Sequence, residues 1–340
     1  MALLRLDDAR IIDFVAHLQA RKKVYAPHAK GRASYVFAPV EQPQDVVLDY
    51  PRTLHSVKKY FMPPREALLD FNLIENTFTP PALEPVNAVF LGVHAYDMHA
   101  VLKADYNFSR GHPEKNYLAR RQEAVFVGVT FTPDLYHFSG SVGIGPDDTT
   151  GFDVFLHRVE GGYAVELLTD AGRRLLDGFP LPGCTDRLVA GGHFHQHIYV
   201  PQGKLFEVFE HGYHNEVWEE VAARCTGCGT CNLVCPTCVC FNVEDRVDVT
   251  VTRGTRERYW DSCLLRGFGE VAGGEVFREH LAGRQRHRVY RKFKYISDLT
   301  GEPWCVGCGR CTAHCTAGIS IVDIVNRLVN DYDKQRTATV

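Results

Sequence analysis

The sequence predicts an α+β fold in two parts: a mixed α/β N-terminal domain, residues 1–203, and a mostly helical C-terminal domain, residues 204–340. Three observations predict it. Residues 1–183 contain no cysteine, and residues 184–340 contain all twelve. Short β-rich runs alternate with helical segments through the first part, the pattern of mixed layers. Beyond Lys204 the apolar residues instead recur at helical spacing around the cysteines.

The elements follow in order. Asp7 or Asp8 is placed to cap a helix in which Ile11, Val15 and Leu18 share a face. Ala33–Phe37, Ala88–Val93, Ala124–Thr130 and Phe152–Val159 read as strands. Ala95–Ala104 and Asp170–Leu176 read as helices between them. Pro63-Pro64, Pro80-Pro81, Pro180, Pro182, Gly183 and Gly191-Gly192 punctuate the loops. One helix is expected from Lys204 to Arg224, with Phe206, Phe209 and Tyr213 on one face, followed by Val217 and Val221. Near the end, Ser320 caps a helix with Asp323 at the capping-box position, and Ile324, Val325, Leu328 and Val329 form its buried stripe.

Eight cysteines form two runs of identical spacing, C-x2-C-x2-C-x3-C. They are Cys225, Cys228, Cys231 and Cys235, then Cys305, Cys308, Cys311 and Cys315. This is the spacing of bacterial ferredoxin-type 4Fe–4S ligation, in which the fourth cysteine of one run serves the other cluster. Three thiolates two residues apart cap one face of a cube, and the fourth lies too far along the chain to close it. By that rule Cys225, Cys228, Cys231 and Cys315 hold cluster 1, and Cys305, Cys308, Cys311 and Cys235 hold cluster 2. The second domain is therefore expected to be ferredoxin-like, with two 4Fe–4S clusters and iron bound through the same eight cysteines. Gly227, Gly229, Gly307 and Gly309 supply positive φ in the turns. A zinc site needs only four ligands, and a disulfide framework suits small secreted chains; neither accounts for two complete runs. Pro236 follows the first run, whereas Thr316 follows the second.

Length and composition bound the rest. A chain of 340 residues favours two domains. A net charge of −3 gives no sign of a nucleic-acid binder. No apolar stretch is long enough for a membrane span, and Met1–Asp8 has no apolar signal core. Reduced thiols then point to the cytoplasm. The inter-cluster segment, residues 236–304, is basic: Arg253–Lys294 holds eleven Lys or Arg against five Asp or Glu. Such a run is usually a solvated face, and otherwise offsets cluster charge or docks an acidic partner.

Other candidates are weaker. Cys238, Cys240 and Cys263 are read as small residues packed round the clusters, with a third metal centre as the alternative; Cys184 is isolated. His193, His195 and His197 alternate, so on a strand they share one side. That side faces solvent or a partner, or, alternatively, ligates a metal. His94 and His99 lie near Asp97, a candidate proton-handling group. Gly140, Gly143 and Gly145 read as a turn rather than a phosphate loop, because Pro146, Asp147 and Asp148 follow.

Several segments together resemble the β subunit of cytoplasmic sulfhydrogenases and the related iron–sulfur subunit of anaerobic sulfite reductase. They are HSVKKYFMPPREALLDF (55–71), VFLGVHAYDMHAV (89–101), Tyr117–Arg121, CTGCGTCNLVCPTCVCF (225–241), WDSC (260–263) and VYRKFKY (289–295). The resemblance covers nearly the whole chain. It implies an electron-transfer subunit without substrate turnover of its own. Electrons would pass between a flavin- and NAD(P)H-binding subunit and a catalytic partner, foremost a nickel–iron hydrogenase. A siroheme sulfite reductase or a heterodisulfide-reductase-like complex is the alternative, and a catalytic subunit with a histidine metal site is a third. The family's cysteines at the position of Tyr96 and within Thr130–Val142 are absent here. The N-terminal domain is thus expected to be a docking scaffold without a cluster.

Overall fold

In the computed structural model, residues 3–338 are described. Eleven strands are formed among them: β1 Leu4–Asp7, β2 Lys23–Ala29, β3 Tyr35–Pro39, β4 Arg65–Asn72, β5 Thr77–Thr79, β6 Ala88–Val93, β7 Val125–Val129, β8 Val154–Val159, β9 Gly162–Leu167, β10 Phe241–Val247 and β11 Arg253–Trp260. They make a seven-stranded sheet ordered β1-β9-β8-β7-β6-β2-β3 and a four-stranded sheet ordered β10-β11-β4-β5. The chain divides into two compact units. The first comprises Met1–Phe61, Pro85–His197 and Val306–Arg310; the second comprises Met62–Glu84, Ile198–Cys305 and Cys311–Val340.

The first unit is built on the seven-stranded sheet. Strands β2, β6, β7 and β8 run parallel, and β1, β3 and β9 pair antiparallel at the flanks. All residues of β6 (AVFLGV) and β7 (VFVGV) are buried. A parallel strand is covered on both faces, so it reads as a continuous apolar run rather than an alternation. Helix Ile11–Gln19 buries Phe14, Val15 and Leu18 in this core. Its cap differs from expectation: a single 3-10 turn, Asp8–Arg10, leads in, and no side chain bonds the first helical amides. Helix Asp170–Leu176 begins as its sequence predicts, with Thr169 Oγ1 accepting from Gly172 N at 3.2 Å.

The second unit is helical around the cysteines and also carries the four-stranded sheet. Strands β10 and β11 form a hairpin, and β11 pairs with β4, so residues 62–84 join this unit rather than the N-terminal one. The buried Glu66–Arg258 ion pair fixes that register, with Arg258 Nε donating to Glu66 Oε1 at 2.8 Å. The expected division at residue 204 thus becomes an interleaved one. The single helix expected from Lys204 to Arg224 is two helices, Leu205–His211 and Val217–Arg224, separated by a Gly212–His214 turn. Asn215 Oδ1 accepts from Val217 N at 2.8 Å and restarts the chain as a helix. The break rotates the apolar face, so Leu205, Val208 and Phe209 are buried while Tyr213 is exposed. Helix Ile321–Ala338 forms as expected, with Ser320 Oγ accepting from Asp323 N at 3.2 Å and Ile324, Val325, Leu328 and Val329 buried. Among the described residues no helix is long and apolar enough to cross a membrane.

Candidate metal centre

Helix Val217–Arg224 delivers the chain to the first cysteine run. Cys225 ends it, leaving helical dihedrals while its amide still donates to Val221 O at 3.1 Å. The turn that follows needs two left-handed residues, and Gly227 (φ 68°) and Gly229 (φ 77°) supply them. A Cβ at Gly229 would also lie 2.9 Å from the Ser262 side chain, so glycine is required there for space as well as for dihedral angle. Gly307 (φ 64°) and Gly309 (φ 69°) repeat the arrangement in the second run. The short helix Thr230–Leu233 then carries Cys231.

The fold brings Cys315, from the second run, to Cys225, Cys228 and Cys231. The four line one pocket together with Cys311, and Leu264 and Ile319 supply apolar wall. The sulfurs receive hydrogen bonds of the kind thiolates favour. Gly227 N donates to Cys225 Sγ at 3.3 Å, Gln285 Nε2 to the same sulfur at 2.9 Å, and Ile319 N to Cys315 Sγ at 3.4 Å. Burial pushes the Cys231 thiol up to about 11, while the nearby Arg288 guanidinium pulls it back down. Four soft sulfur donors, N–H groups aimed at them, an apolar wall and a buried cation fit an iron–sulfur cube.

Of the second set, Cys235, Cys305 and Cys311 belong to the second unit, and Cys308 to the segment Val306–Arg310 of the first. Lys292 is buried and donates to Thr237 Oγ1 at 2.7 Å. Its burial disfavours the charge, but the sulfurs of Cys235, Cys238 and Cys305 more than offset this and hold it protonated. Arg288, fully buried, is held cationic against its own desolvation by Cys231, Cys311, Cys238 and Cys235. These two cations stand four residues apart where helix Leu281–Tyr290 runs into the π-turn Arg291–Tyr295.

In sequence the basic segment reads as one block; the structure separates it. Arg256 and Arg253 are exposed on β11, where Arg256 pairs with Asp245, whereas Gln285, Arg288 and Lys292 point inward at the cysteines. The available signal is their spacing of three and four residues, a helical stripe shared with apolar Val289.

The remaining candidates separate similarly. The segment containing His193, His195 and His197 is not a strand, so the expected one-sided alternation does not arise. Among the described residues no three His, Cys, Asp or Glu side chains close round a single-ion position. Asp97 partners neither neighbouring histidine: His94 Nδ1 meets Tyr96 OH at 2.7 Å, and His99 Nε2 meets Asp148 Oδ2 at 2.9 Å. Asp97 instead takes Arg310. Gly140 lies in the 3-10 turn Ser139–Val142, which closes at Gly143 (φ 82°) just before Gly145. Cys184 is half-buried, with its thiol 3.4 Å from Asp186 Oδ2. Cys238, Cys240 and Cys263 gather near Asn232 and are treated below.

Residues 224–319 match the 4Fe-4S dicluster domain family. Over 339 residues the chain is 31% identical to "Sulfhydrogenase 2 subunit beta" of Pyrococcus furiosus, covering 96% of this chain and 98% of that protein. No solved structure matches the chain.

Proposed function

The chain belongs to the sulfhydrogenase β-subunit family, and from that premise we propose that it is the electron relay of a sulfhydrogenase-like complex. Cys225, Cys228, Cys231 and Cys315 hold one 4Fe–4S cluster, and Cys305, Cys308, Cys311 and Cys235 hold the second. The observation that carries this reading is the pocket in which Cys315 joins the three leading cysteines of the other run. That exchange of the fourth ligand is the signature of a two-cluster ferredoxin.

When bound, each cluster supplies a one-electron carrier. The protein's own residues prepare the sites. Leu264 and Ile319 give the first set an apolar wall. The amides of Gly227 and Ile319 and the carboxamide of Gln285 stabilise sulfur-borne negative charge. Arg288 and Lys292 offset that charge from inside the protein, where screening is weak. The partners on this reading are a flavin- and NAD(P)H-binding subunit and a catalytic subunit of the nickel–iron hydrogenase type, in the cytoplasm.

Anaerobic reconstitution of the full chain tests the ligand set. About eight irons per chain are expected from two cubes, with about half lost in Cys315→Ser. Four or twelve irons in the unmodified chain refute the assignment. Co-purification of the native complex tests the partners, with a nickel–iron subunit expected and a siroheme subunit pointing instead to the sulfite reductase reading.

A further inference from the structure

Cys240 and Cys263 lie outside both cysteine runs, and the fold holds them together. Cys240 immediately precedes β10, and Cys263 follows β11 by three residues. Phe241 and Trp260 are register partners at that end of the hairpin, and Asp261 N donates to Cys240 O at 3.0 Å. Cys263 is the neighbour that acts most strongly on the Cys240 thiol. Asn232 completes the arrangement: its Nδ2 lies 2.9 Å from Cys263 Sγ and 3.0 Å from Ser262 Oγ, and Cys238 Sγ lies 3.8 Å from its Oδ1. Asn232 is buried and directly follows Cys231 of the first run in the chain, so the residue that bonds Cys263 is the sequence neighbour of a candidate cluster ligand.

The two thiols differ as the members of a reactive pair do. Cys240 is half-buried and Cys263 is buried. The hydrogen bonds from Cys263, with Arg291 and Lys292 nearby, hold the Cys240 thiol down at about 6 despite its burial. Cys263 is pushed up, first by its bond to Cys240 and then by burial. A more accessible thiolate beside a protonated, buried thiol is the arrangement of nucleophilic and resolving cysteines.

We propose that Cys240 and Cys263 form a reversible dithiol–disulfide centre that exchanges electrons with the adjacent clusters. This rests on the relay reading above. On oxidation the S–S bond between the Cys240 thiolate and the Cys263 thiol forms, the Cys263 proton leaves, and two electrons pass out to one-electron acceptors, the role that the two clusters would supply when bound. The reverse step cleaves the bond with two electrons and one proton, which returns to Cys263. The pair thus stores two electrons beside centres that carry them singly.

The test uses the full chain, reconstituted anaerobically and poised in mixtures of reduced and oxidised dithiothreitol. Each sample is quenched with N-ethylmaleimide, digested and mapped by mass spectrometry, and its iron is counted in parallel. The expected result is a Cys240–Cys263 linked peptide at the oxidising poise, replaced by two alkylated cysteines at the reducing poise, with iron unchanged. Reducing the clusters of the oxidised protein should then release both thiols as the visible bleach recovers, whereas in Cys263→Ser the bleach should persist. Alkylation of both cysteines at every poise overturns the proposal, as does linkage of Cys240 to Cys238. Protection of both until iron is stripped, with iron above two cubes per chain, also overturns it by making them cluster ligands. Iron content reports on the relay reading and the alkylation map on the dithiol, so the two failures are distinct.

Discussion

Replacing Arg310 with methionine should destabilise the first unit by about 3–5 kcal/mol, the cost of stranding one partner of a buried ion pair. Arg310 and Asp97 side chains are both fully buried. The guanidinium donates from Nη1 to Asp97 Oδ1 at 2.6 Å and from Nη2 to Oδ2 at 2.7 Å. Its Nε donates to Thr53 O at 2.8 Å and its Nη2 to Thr53 Oγ1 at 3.1 Å. Removing it strands the Asp97 carboxylate and Thr53 O, whereas Thr53 Oγ1 still donates to His55 O at 2.8 Å. Asp97 lies in the first turn of helix Ala95–Ser109, whose dipole returns only about 0.3–1 kcal/mol. The lower part of the range is therefore expected for Arg310→Met. Asp97→Leu, which strands the cation, should cost at least as much. The double variant strands neither charge and should recover most of the loss, because a buried pair exchanged for apolar residues is often neutral. Since two units need not unfold together, the assay is native-state hydrogen exchange at the amides of β6 and β7, read as a double-mutant cycle. Single losses below about 1 kcal/mol, or a double loss equal to their sum, would refute the argument.

The remaining predictions concern charge and pH. Arg288→Met should lower the reduction potential of a neighbouring cluster. A unit charge roughly 7–10 Å away at an effective dielectric of about 20 contributes about 2 kcal/mol, or roughly 70–100 mV for one electron. Redox titration monitored by electron paramagnetic resonance reads the shift, and an unchanged or raised potential contradicts it. His287 is held down at about 4 in the fold by burial and then by Arg278 and Arg291, against about 6.5 in an unfolded chain. As pH falls through 6.5 the unfolded state takes the proton first, so stability is lost between about pH 6.5 and 4. Because the ring is partly exposed, the loss is about 1 kcal/mol after solvent screening. His287→Gln should flatten the denaturation midpoint across that window, and an unaltered slope would count against the assignment.

The most legible features are those set by neighbours in the chain. Continuous apolar runs mark β6 and β7, Ser320 and Asp323 mark a helix start, and glycines mark the four left-handed turn positions of the cysteine runs. Features hidden from the sequence depend on distant partners. Nothing local in Arg65–Asn72 announces that it pairs with Arg253–Trp260, yet that pairing moves residues 62–84 into the second unit. The break at Gly212 is masked because its apolar spacing still resembles one helix, while Asn215 restarts the chain by a short-range hydrogen bond.

The spacing of eight cysteines and the glycines between them settled the kind of centre this chain can carry, because thiolate chemistry and turn geometry act over a few residues. Folding settled which groups meet: Cys315 with the first run, Gln285 with Cys225 across 60 residues, Asn232 with Cys263 across 31, and Arg310 with Asp97 across 213. It also divided one basic segment into exposed arginines and the two buried cations that face the sulfurs. Burial changes a charge from a screened surface feature into a strong local field, and burial is a property of the packed chain.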